Sequence, residues 1–284
     1  MPLLPRRQPP VYHPQRVKYR ILDDMQTPYV KLARSIALEA GKIIRTHFDT
    51  NVAKRTKNDL TPVTIADEQI NAMVIRRIGE VYPDHAVIGE EGTNGKTSRL
   101  AWVCDPLDGT IPYTKTIPVS VFSLALVDEG KPILGVVYDP FTNRLYMAEK
   151  GKGAYVNDKP IHVNAQKSEK GSMMLIEWWS DSLYDVDTAM HHMSKDTKVY
   201  VLHLGSIVQS GCLVASGQVI ATIFPGTKGK FIDMAAIKII VEEAGGSVTD
   251  LYGNDQRYDR DIKGAVVSNG IVHKEVLAYL KKYM

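Results

Sequence analysis

The feature that most constrains this chain is a change of pattern along its length. From Thr27 to Val81 apolar residues recur at helical steps. From His85 to Val156 the chain breaks into short apolar runs divided by turns, and after about Val163 strand-like and helix-like segments alternate. A helix pair, a sheet and then alternating elements bury their apolar faces by stacking, so the pattern predicts α/β layers.

The first helix starts at Thr27, a residue that caps, with Pro28 suited to the first turn. Val30, Ala33, Ile36, Ala37, Ala40, Ile43 and Ile44 form its apolar stripe. A second helix is expected from Pro62–Thr64 to Val81, with Ile70, Met73, Val74, Ile78 and Val81 facing inward, and Tyr82-Pro83-Asp84 stopping it. Strands are expected at 85–88, 100–104, 119–127, 133–138, 144–149 and 153–156, forming a mainly antiparallel meander. Beyond it, strands at 173–177, 199–203, 219–224 and 265–268 interleave with helices at 185–193, 206–216, 233–244 and from about 272.

A chain of 284 residues suits one large domain or two closely packed subdomains. The expected division is an N-terminal basic, proline-rich arm over residues 1–24 and a main unit over 25–284, with subdomains at about 25–163 and 164–284. The arm lacks an uninterrupted apolar stretch, which argues against a signal peptide. No apolar run reaches about 18 residues, so no membrane partner is expected. A net charge of +3 is nearly balanced and lacks the basic footprint of nucleic-acid binding. Cys104 and Cys212 have no redox or zinc spacing, which suits a reduced, cytoplasmic setting.

The acidic residues carry the chemistry. Glu90 and Glu91 follow one apolar run, and Asp105 and Asp108 follow the next in Trp102-Val103-Cys104-Asp105-Pro106-Leu107-Asp108-Gly109-Thr110. Asp67 lies early on the preceding helix and Asp233 at the start of a later one. Each alone has an ordinary explanation. Asp-Pro-x-Asp-Gly is good turn chemistry, Glu90-Glu91 suits a solvated loop, Asp233 a helix cap, and Asp67 a surface helix. Their joint appearance favours a site.

Hard cations such as Mg²⁺ take carboxylate and carbonyl oxygens, which Glu90, Asp105, Asp108 and the Leu107 carbonyl could supply. Pro106 fixes φ and Gly109 permits close backbone approach. A helical turn from Gly109-Thr110-Ile111 would offer free N–H groups to a phosphate, and the Thr110 hydroxyl could orient a water. Two metals around one phosphoryl group would clamp the attacking and leaving oxygens.

On these residues the chain resembles the inositol monophosphatase family of the lithium-sensitive, magnesium-dependent phosphatase superfamily. The matches are Gly89–Glu91, Asp105–Thr110 and Ile232–Gly246, supported by Asp59–Asp67 and Gly151–Ile161, and similarity spans roughly Pro28 to the C-terminus. The resemblance implies a layered α/β/α/β/α sugar-phosphatase fold. It also implies hydrolysis of a small phosphate monoester by a metal-activated water without a phosphoenzyme, using two or three Mg²⁺ ions per site, in a homodimer.

By motif position, Glu90, Asp105, the Leu107 carbonyl, Asp108 and Asp233 resemble the metal ligands, with Glu91 a supporting or shared acid. Asp67 and Thr110 resemble the pair that orients and deprotonates water, with Glu90 beside them in the catalytic set. Gly109 and Thr110 resemble the phosphate cradle, and Gly205 and Ser206 the substrate-lining turn. Asp108 and Asp233 border the substrate as well.

Haloacid-dehalogenase-type phosphatases carry Asp-x-Asp-Gly-Thr; the Asp-x-x-Asp-Gly-Thr spacing here excludes that assignment. Many inositol-specific members place a Glu seven residues before the last Asp and a Trp just before it. This chain has Gly226 and Ile232, with Lys228 and Lys230 between them. Members acting on fructose 1,6-bisphosphate can put basic residues there to meet the second phosphate, at about 1.5–3 kcal/mol per charged hydrogen bond.

The expected order is therefore inositol or a related sugar monophosphate, then a bisphosphate, with 3′-phosphoadenosine 5′-phosphate and histidinol phosphate still open. A non-enzymatic scaffold using the basic arm is the rival from another class. Trp178 and Trp179 are expected at core and interface, His191 and His192 in solvent, and Cys104 as a buried strand thiol.

Overall fold

The computed structural model describes residues 27–48, 54–56, 62–179, 182–226 and 231–284. Residues 1–26, the beginning of the Asp59–Asp67 motif, and Lys228 and Lys230 lie outside them.

The chain opens with α1 (Pro28–Phe48), then β1 (Lys54–Thr56) paired with β2 (Pro62–Thr64), and α2 (Ile65–Val81). Next come β3 (Ala86–Gly89), β4 (Gly92–Thr93), β5 (Leu100–Asp108), the single turn α3 (Thr110–Tyr113), β6 (Val121–Asp128), β7 (Lys131–Asp139), β8 (Arg144–Glu149), β9 (Ala154–Val156) and β10 (Lys159–Ile161). The last third is β11 (Met173–Ile176), α4 (Val186–Thr197), β12 (Tyr200–Leu202), α5 (Ile207–Ala215), β13 (Ala221–Phe224), α6 (Phe231–Glu243), β14 (Ser247–Thr249), β15 (Ala265–Ser268) and α7 (His273–Tyr283).

Strands β3 to β10 form one eight-stranded sheet in the order β10-β9-β8-β7-β6-β5-β3-β4, antiparallel except where β3 runs parallel to β5. Strands β11 to β15 form a second sheet in the order β12-β11-β13-β15-β14, parallel across its first three strands.

The side-chain period of two in each strand sets the layers. In β5, Trp102 and Cys104 face the core shared with α1 and α2, while Ala101 and Val103 face the core shared with α5 and α6. In β15, Val267 joins that same middle core and Val266 points to the outer core under α4 and α7. The stack is therefore α1/α2, large sheet, α5/α6, small sheet, α4/α7, an α/β/α/β/α arrangement.

Helix α6 lies between two sheets. That explains why every residue from Phe231 to Val241 is buried, Lys238 included, instead of one apolar stripe. Lys238 reaches out of the core to the Val248 carbonyl at 2.9 Å, to Glu242 at 2.7 Å and to Asp255 at 3.0 Å.

The expected helices and strands are present, with edges shifted by a few residues; Val81, expected on the inward stripe of the second helix, is instead the exposed last residue of α2. The Thr27 hydroxyl accepts from the Val30 N–H at 3.4 Å, as its capping position predicts. Strands β4, β10 and β14 are two or three residues each, too short to show a period. Strand β5 does not stop at Cys104 but runs through Asp108, with a register shift between Asp105 and Asp108 against β6. A bulge of this kind bends a strand and re-aims its side chains. Here it lets both aspartates, three residues apart, serve one site. Helix α6 starts at Phe231, so Asp233 sits inside the first turn rather than capping it. Among the described residues, no helix is long and apolar enough to cross a membrane.

Candidate functional site

Three carboxylates converge where the large sheet meets the helices of the middle layer. Asp105, Asp108 and Asp233 each offer an oxygen, and these oxygens lie within 4.8 Å of one another. The residues are 2%, 7% and 1% exposed. Three like charges so close and so far from water repel one another strongly, and a divalent cation is the natural compensation. The donors are all hard oxygens, which fits Mg²⁺ better than a soft metal.

The turn that carries two of them is built locally. The Leu107 N–H donates to Asp105 Oδ1 at 2.9 Å, closing an Asx turn. The Thr110 hydroxyl donates to the Leu107 carbonyl at 3.0 Å, so that carbonyl faces the start of α3. Gly109 adopts φ of 82°, and a Cβ there would lie 3.3 Å from the Gly205 carbonyl. Gly205 is also left-handed, at φ of 84°, and a Cβ on it would lie 2.9 Å from Pro112. The two turns thus pack back to back at a separation that only glycines permit without displacement.

The second turn reaches into the first. Ser206 donates its hydroxyl to Asp108 Oδ2 and accepts from the Gln209 N–H at 3.1 Å as the N-cap of α5. The Val208 N–H also donates to Asp108 Oδ2, at 2.9 Å. Asp108 is therefore held by the positive end of α5, which favours its ionised form.

Asp67 occupies the rim. It is 1% exposed and accepts from the Thr64 N–H at 2.8 Å and the Thr64 hydroxyl at 2.5 Å through Oδ2. Its Oδ1 lies 3.5 Å from the Thr110 hydroxyl. Burial pushes the Asp67 carboxyl up to about 6; the Thr64 bonds pull the other way, and the charges of Glu90 and Glu91 add to the rise. These two glutamates sit half-buried at the turn from β3 to β4, and the Glu90 N–H donates to the Cys104 carbonyl at 3.1 Å, one residue before Asp105.

Of the residues singled out from sequence, Asp105, Asp108 and Asp233 form the tight cluster. Thr110, Asp67, Gly109, Gly205 and Ser206 adjoin it through the contacts just given, and Glu90 is brought alongside by its backbone. Trp178 is exposed and Trp179 packs on the middle core. His191 is exposed, while His192 stacks on Tyr283 with ring centroids 4.0 Å apart. Cys104 is fully buried, and burial raises its thiol well above its usual range.

Two residues near the site were not anticipated. Ser120 donates to the Gly109 carbonyl at 2.8 Å. Glu177, 5% exposed, accepts from the N–H groups of Leu204 at 3.3 Å and Gly205 at 2.9 Å, and from the Ser210 hydroxyl at 2.6 Å. Glu177 follows the apolar run Met173–Ile176. An acid directly after an apolar strand is the signal that drew attention to Glu90 and Asp105, and it applies equally here.

Known proteins place this arrangement. A fructose-1,6-bisphosphatase/inositol-1-monophosphatase of Aquifex aeolicus is 32% identical over 270 residues, covering 90% of this chain and 96% of the relative. A protein named Nus factor SuhB from Xylella fastidiosa is 31% identical over 241 residues, covering 81% of this chain and 85% of the relative. Among solved structures, an IMPase of Thermotoga maritima superposes with a TM-score of 0.81 at 28% identity, covering 90% of this chain and 98% of that one. The sequence pattern described as the inositol monophosphatase family matches residues 25–284, and the chain belongs to that family.

Proposed function

We propose that this chain is a magnesium-dependent phosphate monoester hydrolase for inositol monophosphate or a closely related sugar phosphate. The observation that carries the reading is the convergence of Asp105, Asp108 and Asp233 beside the Asp67–Thr110 pair. Asp105, Asp108, Asp233, Glu90 and the Leu107 carbonyl would hold two or three Mg²⁺ ions, with Glu91 in support. Bound Mg²⁺ supplies positive charge to the phosphoryl oxygens and lowers the pKa of an attacking water.

The protein's own groups do the rest. With its proton committed to the Leu107 carbonyl, Thr110 keeps lone pairs to accept from a water. Asp67 Oδ1 is placed to accept that water's second proton, and its raised proton affinity suits a base working near neutrality. The N–H groups after Gly109 face the phosphate, and Gly205 and Ser206 border the leaving alcohol.

The substrate is the finer question. A side chain at Gly226 would meet the Gly264 nitrogen at 2.4 Å and the Ile262 carbonyl at 3.1 Å, so this position has no room for a sugar-binding carboxylate. That opens the bisphosphate alternative, in which Lys228 and Lys230 meet a second phosphate, and the Aquifex relative is named for both activities. The relative named Nus factor SuhB supports a second reading, a partner-binding role beside or instead of catalysis. We further read the protein as a lithium-sensitive, cytoplasmic homodimer, with residues 1–24 an arm outside a phosphatase unit at 25–284.

The test is phosphate release from inositol 1-phosphate, fructose 1,6-bisphosphate, histidinol phosphate and 3′-phosphoadenosine 5′-phosphate, with Mg²⁺ and with EDTA, for the wild type and Asp105→Asn. Magnesium-dependent turnover lost in Asp105→Asn supports the hydrolase. Full activity in EDTA refutes it, and equal, negligible turnover in both proteins favours the partner-binding role. If Lys228→Ala and Lys230→Ala weaken bisphosphates more than monophosphates, the bisphosphate alternative leads.

A further inference from the structure

Asp108 takes its position from a turn that does not belong to its own strand, and that turn is itself anchored elsewhere. Residues 203–206 cross from β12 to α5, at the carboxyl end of the parallel strands β11 and β12, where open α/β sheets place their functional loops. Glu177 stands one residue past β11 at that same end, its own N–H donating to the Ile223 carbonyl at 2.9 Å. Its two oxygens divide the work. Oε2 takes the Gly205 N–H at 2.9 Å, and Oε1 takes the Leu204 N–H at 3.3 Å and the Ser210 hydroxyl at 2.6 Å.

A buried carboxylate is costly unless hydrogen-bonded, and these donors lie in the 204–205 turn and, for the Ser210 hydroxyl, in the first turn of α5. Fixing Gly205 and Ser210 fixes Ser206 between them. Ser206 then has no choice of direction: its hydroxyl accepts from Gln209 and donates to Asp108.

Resting on the metal-site reading above, we infer that Glu177 is a positioning residue for the cation site, setting the orientation of Asp108 through the Gly205–Ser206 turn. The amide of a glutamine cannot replace it. If its oxygen faces the Gly205 N–H, its NH₂ meets the Leu204 N–H; in the other orientation NH₂ meets the Gly205 N–H. Either way one donor faces another. Supporting bonds of this kind typically change metal affinity by about 10- to 100-fold, and the indirect route here places the expectation at the lower end.

The test uses Mn²⁺ alone as a spectroscopically visible probe, with free ion followed by electron paramagnetic resonance in protein stripped of metal. The proteins are the wild type, Glu177→Gln, Ser210→Ala, Ser206→Ala, the Glu177→Gln/Ser206→Ala double variant, and Asp233→Asn as a control. Glu177→Gln should weaken Mn²⁺ binding about 10-fold and Ser210→Ala about 3-fold. In the Ser206→Ala background, Glu177→Gln should add little, because the connection through Ser206 is already cut.

Wild-type affinity in both Glu177→Gln and Ser210→Ala overturns the inference, even if Tm falls, since a merely structural role moves Tm alone. Additive losses in the double variant overturn it as well. Should Glu177→Gln fail to fold, Ser210→Ala and its pairing with Ser206→Ala decide the matter. Wild-type protein that binds Mn²⁺ no better than Asp233→Asn overturns the metal-site reading and this inference together.

Discussion

The turn at Asp105–Thr110 and the turn at Leu204–Val208 touch, yet they hold their shapes in different ways. In the first, Asp105 is fixed by a residue two positions away and Thr110 by one three positions away. Asp67 beside it is fixed by Thr64, again three positions away. In the second, the anchors come from Glu177, 27 and 28 positions from the groups it holds, and the turn reaches Asp108 across 98 and 100 positions. The first turn takes several of its side-chain bonds from its own residues, whereas the second takes its main anchors from Glu177 beside the small sheet and from Asp108 on the large one. The difference matters because a cation site needs both: Asp105 and Asp108 come from the local turn, while Asp233 and the grip on Asp108 come from the long-range side.

The sharpest way to break this pairing is to remove the one carboxylate that the later half lends. Asp233→Asn should cut turnover about 10³-fold, the several kcal/mol of charge stabilisation that a misplaced cation would forfeit. The same change removes one of three crowded negative charges, so without divalent cations the variant should melt no lower than the wild type. Adding Mg²⁺ at about 100 times its Kd should stabilise the wild type by about 2.7 kcal/mol and the variant by clearly less. Calorimetric melts with EDTA and with Mg²⁺ check this. A variant that gains as much from Mg²⁺ as the wild type would detach Asp233 from the site.

A second contrast is in pH, where Asp67, beside the first turn, and His273, at the start of α7 and apart from both turns, pull in opposite directions. Burial raises the Asp67 carboxyl from the usual aspartate range to about 6. Its folded pKa lies above its unfolded one, so its contribution to stability is full below about 4 and is lost as pH rises to about 6, worth about 3 kcal/mol at most. His273, buried between Ser268 at 2.8 Å and Thr249 at 3.0 Å, is shifted downward by burial and then by Lys238. Its contribution is present above the ordinary histidine range and is lost as pH falls through its lowered folded pKa. Urea titrations in EDTA from pH 4.5 to 7.5 should show Asp67→Asn flattening a decline in stability between about 4.5 and 6, and His273→Gln flattening a rise with pH. Divalent cations should shrink the Asp67 effect alone. Identical responses to cations in both variants would separate Asp67 from the cation site.

How much of this was open to reading follows the same division. The Asp105–Thr110 turn is legible because its residues are consecutive and each residue type suits a job there: proline for φ, glycine for left-handed backbone, carboxylates where a cation could bind. Asp233 is legible only as part of a set, since an acid in the first turn of a helix is commonplace. The helices and longer strands show their periods, whereas β4, β10 and β14 are too short to have one. Helix α6 shows no amphipathic stripe because both of its faces meet sheets. Glu177 carries the same acid-after-strand signal as Glu90 and Asp105, but its partners, two backbone N–H groups and the Ser210 hydroxyl 27 to 33 positions away, are brought to it only by the fold. The lack of room at Gly226 is invisible for the same reason: its neighbours are the backbone of residues 262–264, brought close only by the fold.

The smallest effect tests whether the first turn is as self-sufficient as its local bonds suggest. Ser120, fully buried, supplies a less local bond to that turn, donating to the Gly109 carbonyl at 2.8 Å from eleven positions away. The same carbonyl also accepts from the Tyr113 N–H at 3.0 Å, so losing Ser120 does not leave it bare. Ser120→Ala should therefore cost about 1 kcal/mol of stability, the net worth of one such hydrogen bond. If Gly109 stays left-handed under the remaining bonds, kcat/KM should fall no more than about 5-fold, since about 1 kcal/mol of misplacement corresponds to that factor. Denaturant midpoints together with steady-state kinetics on the best substrate measure both quantities. A loss of 100-fold or more from this single hydroxyl would mean that the Asp105–Thr110 turn, like the Leu204–Val208 turn, is held in place by the surrounding fold.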